Sequence, residues 1–396
     1  MRSLLFMAWR YLAFNRFKTV TLVAVITVII FLPLALQLVL DRSSARLTAR
    51  AYATPLLAGS PGSPLELVLN SLYFDGHSPA SMNYGVVTDI AVTGLAEPIP
   101  LYVRYRVSDQ PVVGTSPDYF RFRQLKVSRG RLMAIPGEAV LGATAARRLS
   151  AGPGDDVVTS PETVFDVAGT YPLKLSVVGV LAPTGTRDDE AVFVDVRTAW
   201  IIGGIGHGHE DLAKTEASAG VLNRDGKNIV ANAAVVQYRK VTPDNLGDFH
   251  FHGDQADFPL SAVIAVPKDV KAGALLEGRF QDPAATVRLV RPVDIMDELL
   301  ATVLTVRQYV LAAVLLVGLA TLAAIILVFV LSARLRRNEM LTMIRIGAAP
   351  GRVMAILAAE VILVLVTSLI LAGLLTGLAA SFGEELFRVM LVSGST

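Results

Sequence analysis

Three long uncharged stretches dominate the pattern of apolar and polar positions along the chain. They run from Thr19 to Leu40, from Gln308 to Ala333 and from Val361 to Gly383. A helix of about 20 apolar residues crosses the hydrocarbon core of a bilayer, and each stretch is long enough to do so. The pattern therefore predicts three membrane-spanning helices, the first with a kink at Pro33.

The segment between the first two stretches, residues 41–305, has a different pattern. Apolar and polar residues alternate there as they do in half-buried strands, and stretches with helical spacing lie in between. The predicted strands are 101–107, 173–181, 191–196 and 261–267. One predicted helix begins at Ser116, a second covers 142–149 and a third covers 285–307. This mixture predicts an α+β domain, with its last helix forming a stalk that leads into the second span.

Composition agrees with a membrane protein that has a large water-facing part. Of the 396 residues, 53% are hydrophobic, which is too apolar for a single soluble domain. The net charge is only +2, so nothing in the total suggests a nucleic-acid partner. Cysteine is absent, which excludes a disulfide framework and thiolate metal ligands.

Basic residues next to the apolar stretches predict their orientation. Met1–Lys18 carries four basic residues and no acidic one, and Arg334–Arg352 carries five arginines against one glutamate. Short basic segments stay in the cytoplasm, so we expect a multi-pass protein of the inner (plasma) membrane. The predicted order is a cytoplasmic amphipathic helix 1–18, transmembrane helix 19–40, periplasmic α+β domain 41–305, stalk end and second span 306–333, cytoplasmic coupling loop 334–352, third span 353–383 and periplasmic tail 384–396.

The basic loop also has an ordered motif, Arg-Arg-x-Glu followed by Arg-x-Gly-Ala and a new helix. This order resembles the coupling loop of MacB/FtsX/LolC-type ABC transporter permeases. Three segments of the 41–305 domain are similar to phrases of that family's extracytoplasmic domain: VVGTSPDYF (112–120), GEAVLGATAARRL (137–149) and LSVVGVLAPTG (175–185). The alternative is an ordinary basic loop that only sets orientation.

The resemblance implies an α-helical transmembrane bundle with a large α+β extracytoplasmic domain between the first and second spans. It implies a permease homodimer that moves its periplasmic domain when a separate cytoplasmic ABC ATPase binds ATP, in contact with membrane lipid and with a periplasmic or lipoprotein partner. The family pattern includes a fourth span, which this sequence does not reach. The residues expected to couple to the ATPase are Arg336, Arg337, Glu339, Arg345 and Gly347.

Glu360 lies about two turns into the helix that follows the coupling loop. An ionisable side chain near the cytoplasmic end of a span is a candidate functional group. It can equally be a carboxylate that reaches toward the membrane surface and pairs with an arginine of the loop. The sequence leaves both interpretations open.

Four of the five histidines form two His-x-His pairs, and all five lie in the 41–305 domain. Alternate residues of a strand share a face, so in a strand His250 and His252 point toward one ion, and Phe249 and Phe251 point the other way. The other pair lies in a Gly-rich loop, GIGHGHED, that can fold over to meet the same ion. Imidazole is a favoured ligand of Zn²⁺, Cu²⁺ and Ni²⁺, and neighbouring carboxylates can support it. The predicted metal ligands, with Zn²⁺ as the expected ion, are His207, His209, His250 and His252. Exposed polar loops and a pH-sensing histidine cluster are the alternatives.

Motifs that would make the chain an enzyme do not occur. It has no G-x-x-x-x-G-K-[ST] phosphate loop, so ATP hydrolysis is expected in a partner subunit and no ATP site in this chain. The H-E-x-x-H and G-x-S-x-G motifs are also absent. The expected function is an ABC permease subunit, linked to zinc or other metal homeostasis or to export. The alternatives are a membrane-anchored metal sensor or receptor without an ATPase, and a metallohydrolase that would rely on Glu210.

Overall fold

A computed structural model describes residues 2–160, 172–208, 221–225, 228–231, 238–281 and 286–393. The chain divides into two compact units, one helical (Met1–Leu47 with Glu298–Thr396) and one α+β (Thr48–Asp297). The described helices are α1 (Arg2–Phe14), α2 (Arg16–Tyr52), α3 (Pro64–Tyr73), α4 (Gly85–Thr93), α5 (Pro117–Phe122), α6 (Ala143–Arg148), α7 (Val196–Ile202), α8 (Val270–Arg279), α9 (Pro292–Leu335), α10 (Arg337–Arg345) and α11 (Pro350–Ser393).

The helical unit contains the long apolar stretches seen in the sequence. Within the described residues, α2, α9 and α11 each include a segment long and apolar enough to cross a membrane: Arg16–Leu38, Gln308–Leu335 and Pro350–Ala379. Asn15 separates helix α1 from helix α2. Its side-chain amide donates to the Tyr11 carbonyl at 3.2 Å. Asn bonds its own neighbouring backbone readily, which favours a helix boundary at this position.

Small polar side chains bring α2 and α11 together. The Thr27 hydroxyl donates to the Ser368 carbonyl at 3.4 Å, and the Ser368 hydroxyl donates to the Val23 carbonyl at 3.4 Å. Leu22 and Val364 are buried beside these contacts. Small hydroxyl residues let two apolar helices approach closely and still satisfy their polar atoms, as at interfaces between membrane helices.

The α+β unit is built on short strands. They are β1 (Leu56–Gly59), β2 (Met82–Asn83), β3 (Ala96–Val107), β4 (Gln110–Thr115), β5 (Val127–Gly130), β6 (Glu138–Leu141), β7 (Asp156–Val158), β8 (Lys174–Leu181), β9 (Val192–Asp195), β10 (Gly206–Gly208), β11 (Val221–Asp225), β12 (Asn228–Ala231), β13 (Phe249–Phe251), β14 (Pro259–Leu260), β15 (Ala262–Pro267) and β16 (Arg288–Val290).

Most of these strands form one mixed sheet. Its order is β16-β1-β15-β3-β4-β9-β6-β8-β5, and β7 pairs with β8. The pairs β4–β9 and β6–β8 are parallel, and the other pairs are antiparallel. The predicted strands 101–107, 173–181, 191–196 and 261–267 coincide with parts of β3, β8, β9 and β15. The largest fully buried side chains of the core are Trp200, Tyr119, Phe120 and Phe193.

Two boundaries differ from those predicted. The helix expected over 285–307 begins only at Pro292, because Leu289 and Val290 pair with β1 as the edge strand β16. Proline has no N–H to donate and suits the first turn of a helix, so it separates the two elements. The strand expected over 191–196 ends at Asp195, whose carboxylate accepts the Arg197 amide at 2.9 Å and caps α7.

A buried ion pair joins the last turn of α2 to the core of the α+β unit. The Arg50 guanidinium donates to both carboxylate oxygens of Asp188, at 2.6 and 2.8 Å, and to the Tyr119 hydroxyl at 2.6 Å. Tyr119 in turn donates to Asp188 at 2.7 Å. Burial alone would raise the pKa of Asp188, but the charge and hydrogen bonds of Arg50 together with the Tyr119 hydroxyl hold that pKa below its ordinary value.

The lowered pKa of Asp188 predicts acid sensitivity. A carboxyl group with a lower pKa in the folded state adds stability above its unfolded pKa of about 3.9, and that stability is lost as the pH falls through the folded pKa. We expect the free energy of unfolding, measured with denaturant, to decrease as the pH is lowered below about 4, and to decrease less steeply in Asp188→Asn. Equal slopes for wild type and variant would contradict this assignment.

Candidate functional site

A two-stranded ribbon carries three of the four predicted metal ligands. Strands β10 and β13 pair antiparallel, with His207 directly opposite His250 and with Gly206 and Gly208 opposite the phenylalanines of β13. His252 follows β13 and shares the face of His250, since alternate strand residues point to the same side. The predicted division of the segment 249–252 into a phenylalanine face and a histidine face agrees with this pairing, whereas residues 206–208 form a strand instead of the expected loop, because their backbone pairs with β13.

Aromatic packing fixes the other face of the ribbon. A Cβ atom at Gly206 would lie 2.5 Å from the Phe251 ring, and one at Gly208 would lie 2.8 Å from the Phe249 ring. Only glycine therefore lets these rings lie directly on the backbone of β10. Phe251 also packs edge-on against Trp200, with ring centroids 6.3 Å apart. Phe249 stacks on Tyr238 at 6.2 Å, so both rings attach the ribbon to the rest of the unit.

The three imidazoles form a compact cluster on the opposite face. The Nε2 atoms of His207 and His252 are 3.3 Å apart, and the three ring centroids are separated by 4.8 to 4.9 Å. One nitrogen from each ring can be chosen so that all lie within 4.8 Å of one another. Two nitrogens bound to one tetrahedral Zn²⁺ at about 2.0–2.1 Å are roughly 3.3 Å apart, so small ring rotations would complete a three-nitrogen site.

Surrounding contacts orient the rings without enclosing them. The Nδ1 atom of His250 lies 3.3 Å from the Asp248 carbonyl oxygen, a contact that restricts rotation of the ring. His207 is half-buried, whereas His250 and His252 are exposed. Imidazole donors of this kind suit Zn²⁺, Cu²⁺ or Ni²⁺.

The fourth predicted ligand, the neighbouring acidic residues and the fifth histidine are located as follows. His209, Glu210 and Asp211 lie outside the described residues. Asp254 does not join the cluster and instead accepts the Ala256 amide at 2.9 Å. His77 is exposed and is not part of the cluster found among the described residues.

The predicted coupling loop contains the short helix α10, whose start is held by an ion pair. Arg336 precedes α10, and its Nη1 lies 3.1 and 3.2 Å from the carboxylate oxygens of Glu360. Its guanidinium also lies over the Tyr11 ring, 3.5 Å from the centroid. Glu360 is buried, with 4% of its surface exposed. Of the two interpretations of Glu360, the geometry corresponds to pairing with an arginine of the loop.

The other residues expected to couple to the ATPase lie along or just after α10. Arg337 and Arg345 are exposed, and nothing is described of the Glu339 side chain. Gly347 has φ +105°, a conformation that favours glycine, and its amide donates to the Ile344 carbonyl at 3.0 Å. The glycine of the Arg-x-Gly motif therefore ends α10 and turns the chain toward α11.

Sequence reasoning did not single out the buried network of Arg50, Tyr119 and Asp188. Arg50 follows an apolar stretch and resembles an ordinary flanking charge, and Asp188 lies in a polar run, TRDDE. The only sequence signal is the consecutive pair Asp188-Asp189 between buried strands, which solvent-exposed turns also show. Arg50 and Asp188 are 138 positions apart in the sequence, so only the folded chain brings them together.

Comparison with known proteins identifies the family. The MacB-like periplasmic core domain family matches residues 20–236, more than half of the chain. Among solved structures, the extracellular domain of the noncanonic ABC-type transporter YknZ from Gram-positive bacteria is similar at 13% identity, covering 60% of this chain and 99% of its own, with a TM-score of 0.32. The periplasmic region of MacB from Actinobacillus actinomycetemcomitans is similar at 10% identity, covering 62% of this chain and 92% of its own, with a TM-score of 0.34.

No curated protein matches the chain. The family match covers the first apolar stretch and most of the α+β unit. It agrees with the resemblance carried by the coupling-loop motif and by the segments 112–120, 137–149 and 175–185. The chain belongs to the MacB-like periplasmic core domain family and is a MacB/FtsX-like ABC transporter permease.

Proposed function

We propose that this permease transmits ATP-driven movement from a separate cytoplasmic ATPase to its α+β unit on the periplasmic side of the inner membrane. The apolar segments of α2, α9 and α11 act as the spans of a transmembrane bundle, with the α+β domain between the first two. The subunit works as a homodimer, with a periplasmic or lipoprotein partner receiving the movement. Substrate is moved or released on the outer side, without a channel through the bilayer.

The observation that carries this proposal is the anchoring of α10. Arg336 is tied to Glu360 and Tyr11, so the start of α10 is fixed to α11 and α1. A helix held in this way can pass a displacement to the helices that hold it. Arg337 and Arg345 remain exposed and supply the positive charge of a docking surface. Within the predicted coupling set, Arg336 has a positioning role and the two exposed arginines make contact.

Charge reversal on α10 tests the docking assignment. We expect Arg337→Glu with Arg345→Glu to abolish copurification of the ABC ATPase and of its ATP hydrolysis, because like charges replace complementary ones at the contact. The matched control is Arg129→Glu with Arg147→Glu, two exposed arginines of the α+β unit, which changes net charge equally. Undiminished ATPase association in the α10 variant would remove the docking surface from α10.

We also propose that the α+β unit binds Zn²⁺ or a similar transition metal and links the transporter to metal homeostasis or metal-dependent export. The cluster of His207, His250 and His252 supports this proposal, and His209 is a candidate further ligand. Metal content of the purified full-length chain, measured by elemental analysis, provides the direct test. A protein without bound or bindable metal would leave the permease assignment standing and remove the metal role.

A second candidate function is favoured by the same histidine cluster. A membrane-anchored periplasmic metal sensor or receptor would need the metal site but no ATPase. Copurification separates the two functions, because a receptor would retain metal and bring no ATP-hydrolysing subunit with it. The anchored α10 helix favours the permease, since a simple receptor has no use for a fixed cytoplasmic docking helix.

A further inference from the structure

The histidine cluster has the features of a metal site that exchanges an external ligand, rather than those of a structural metal site. Building on the metal binding proposed above, we infer that His207, His250 and His252 hold the ion as an open centre that completes its coordination with an external nitrogen or oxygen donor. Such a donor reaches the metal as a small chelating molecule or as a side chain of a partner protein. The ion is then taken up and released together with that donor.

Contacts away from the histidines also hold the ribbon. Its strands are paired by backbone hydrogen bonds, and its opposite face is packed through Phe249 and Phe251. Phe251 contacts Trp200 and Phe258, which belong to the core of the unit. Structural zinc sites are closed by four protein ligands and contribute to folding outright. The ribbon is also held by the packing of its phenylalanine face, so its folding does not rest on the histidine face alone.

The described part of the cluster supplies three of the four ligands that Zn²⁺ usually takes. Among the described residues, the group contains three imidazoles and no carboxylate. Zn²⁺ in proteins takes four ligands, and sites with three protein ligands keep the fourth position for water or substrate. Imidazole is neutral when it binds metal, so these ligands leave the double positive charge of the ion uncompensated. An anionic donor is therefore attracted to the position that remains.

Exposure places that position within reach of solvent. His250 and His252 are exposed and only His207 is half-buried. Ligand exchange at a metal needs an entry path, and an ion coordinated by exposed rings has one.

Cobalt substitution tests the inference in the full-length chain in detergent. Co²⁺ reports its ligands through visible absorption, so we titrate the chain with Co²⁺ and then add imidazole and, separately, azide. The expected result is a change in the visible bands that saturates as each added donor binds the metal. Bands that form with Co²⁺ and stay unchanged with both donors indicate a closed site and overturn the inference, while the proposed metal binding survives.

Two further arms distinguish the ways in which the inference can fail. If His209→Ala responds to imidazole and the wild type does not, then His209 closes the site and no external donor is needed. If no Co²⁺ bands develop at all, both the metal binding and this inference are wrong. Amide hydrogen exchange of 249–251 adds an independent readout: we expect similar protection with and without metal, and loss of protection after chelation would make the ion a structural staple.

Discussion

Replacing Asp188 with alanine is expected to destabilise the α+β unit by about 3–5 kcal/mol, the largest effect of any single substitution considered for this chain. The substitution leaves the Arg50 guanidinium buried without its counter-charge, and burial of an unpaired charge is far more costly than loss of a surface ion pair. The Tyr119 hydroxyl also loses its acceptor.

The measurement is urea unfolding of the full-length chain, followed by Trp200 fluorescence in a Trp9→Phe background. The protein has two tryptophans, and Trp200 is buried with its indole N–H donating to the Pro259 carbonyl at 2.8 Å. Its emission therefore reports on the core of the α+β unit. The matched control is Asp118→Ala, which removes the exposed ion pair with Arg121 and should cost less than about 1 kcal/mol.

A double variant distinguishes the cost of leaving Arg50 without its partner from the net contribution of the ion pair to stability. Buried ion pairs replaced by apolar residues of similar volume are often neutral or stabilising. We therefore expect Arg50→Met with Asp188→Leu to recover a large part of the stability lost in Asp188→Ala. If the double variant is as unstable as the single one, the network contributes through packing or hydrogen bonding rather than through the uncompensated charge.

Loss of metal affinity is the second large effect. We expect His250→Ala with His252→Ala to lower the affinity for Zn²⁺ by more than about 100-fold, because removal of residues that only support a ligand already costs 10–100-fold. Two of the three clustered imidazoles are removed, and His207 is the only member of the described cluster that is left. Competition with a chromophoric chelator measures the affinity of the wild type and the variant under the same conditions.

His77→Ala is the matched control for this experiment. It removes an exposed histidine that is not part of the cluster, so Zn²⁺ affinity should stay at the wild-type value. Equal affinities for the wild type and the double variant would show that any metal site lies elsewhere. A fall in affinity for both His77→Ala and the double variant would indicate weak, dispersed binding by surface histidines.

ATPase docking on α10 and metal binding by the histidine ribbon can be tested independently of each other. Charge reversal on α10 changes ATPase association and leaves the ribbon untouched, whereas histidine substitution changes metal binding and leaves α10 untouched. A permease that keeps its ATPase but binds no metal would be a MacB-type permease whose periplasmic ribbon has another role. A chain that binds metal but no ATPase would support the receptor function.

Much of the architecture could be predicted because its signals are local. Spans are visible as runs of apolar residues, since a helix in a bilayer must present apolar side chains on every lipid-facing side. Strands β3, β8, β9 and β15 follow an apolar pattern that a half-buried or buried sheet requires. His250 and His252 could be assigned to one strand face because side chains alternate with a period of two.

The sequence by itself determined the class of the protein, its apolar helices, most of the large strands, the coupling motif and the candidate metal ligands. Only the tertiary structure decided which of these residues meet. The register of β10 with β13, the pairing of Arg336 with Glu360, the burial of Arg50 against Asp188 and the edge strand β16 all depend on segments far apart in the chain. Local patterns specify which face of an element is apolar, but partners are selected by the combined packing of the whole unit, which no short segment encodes.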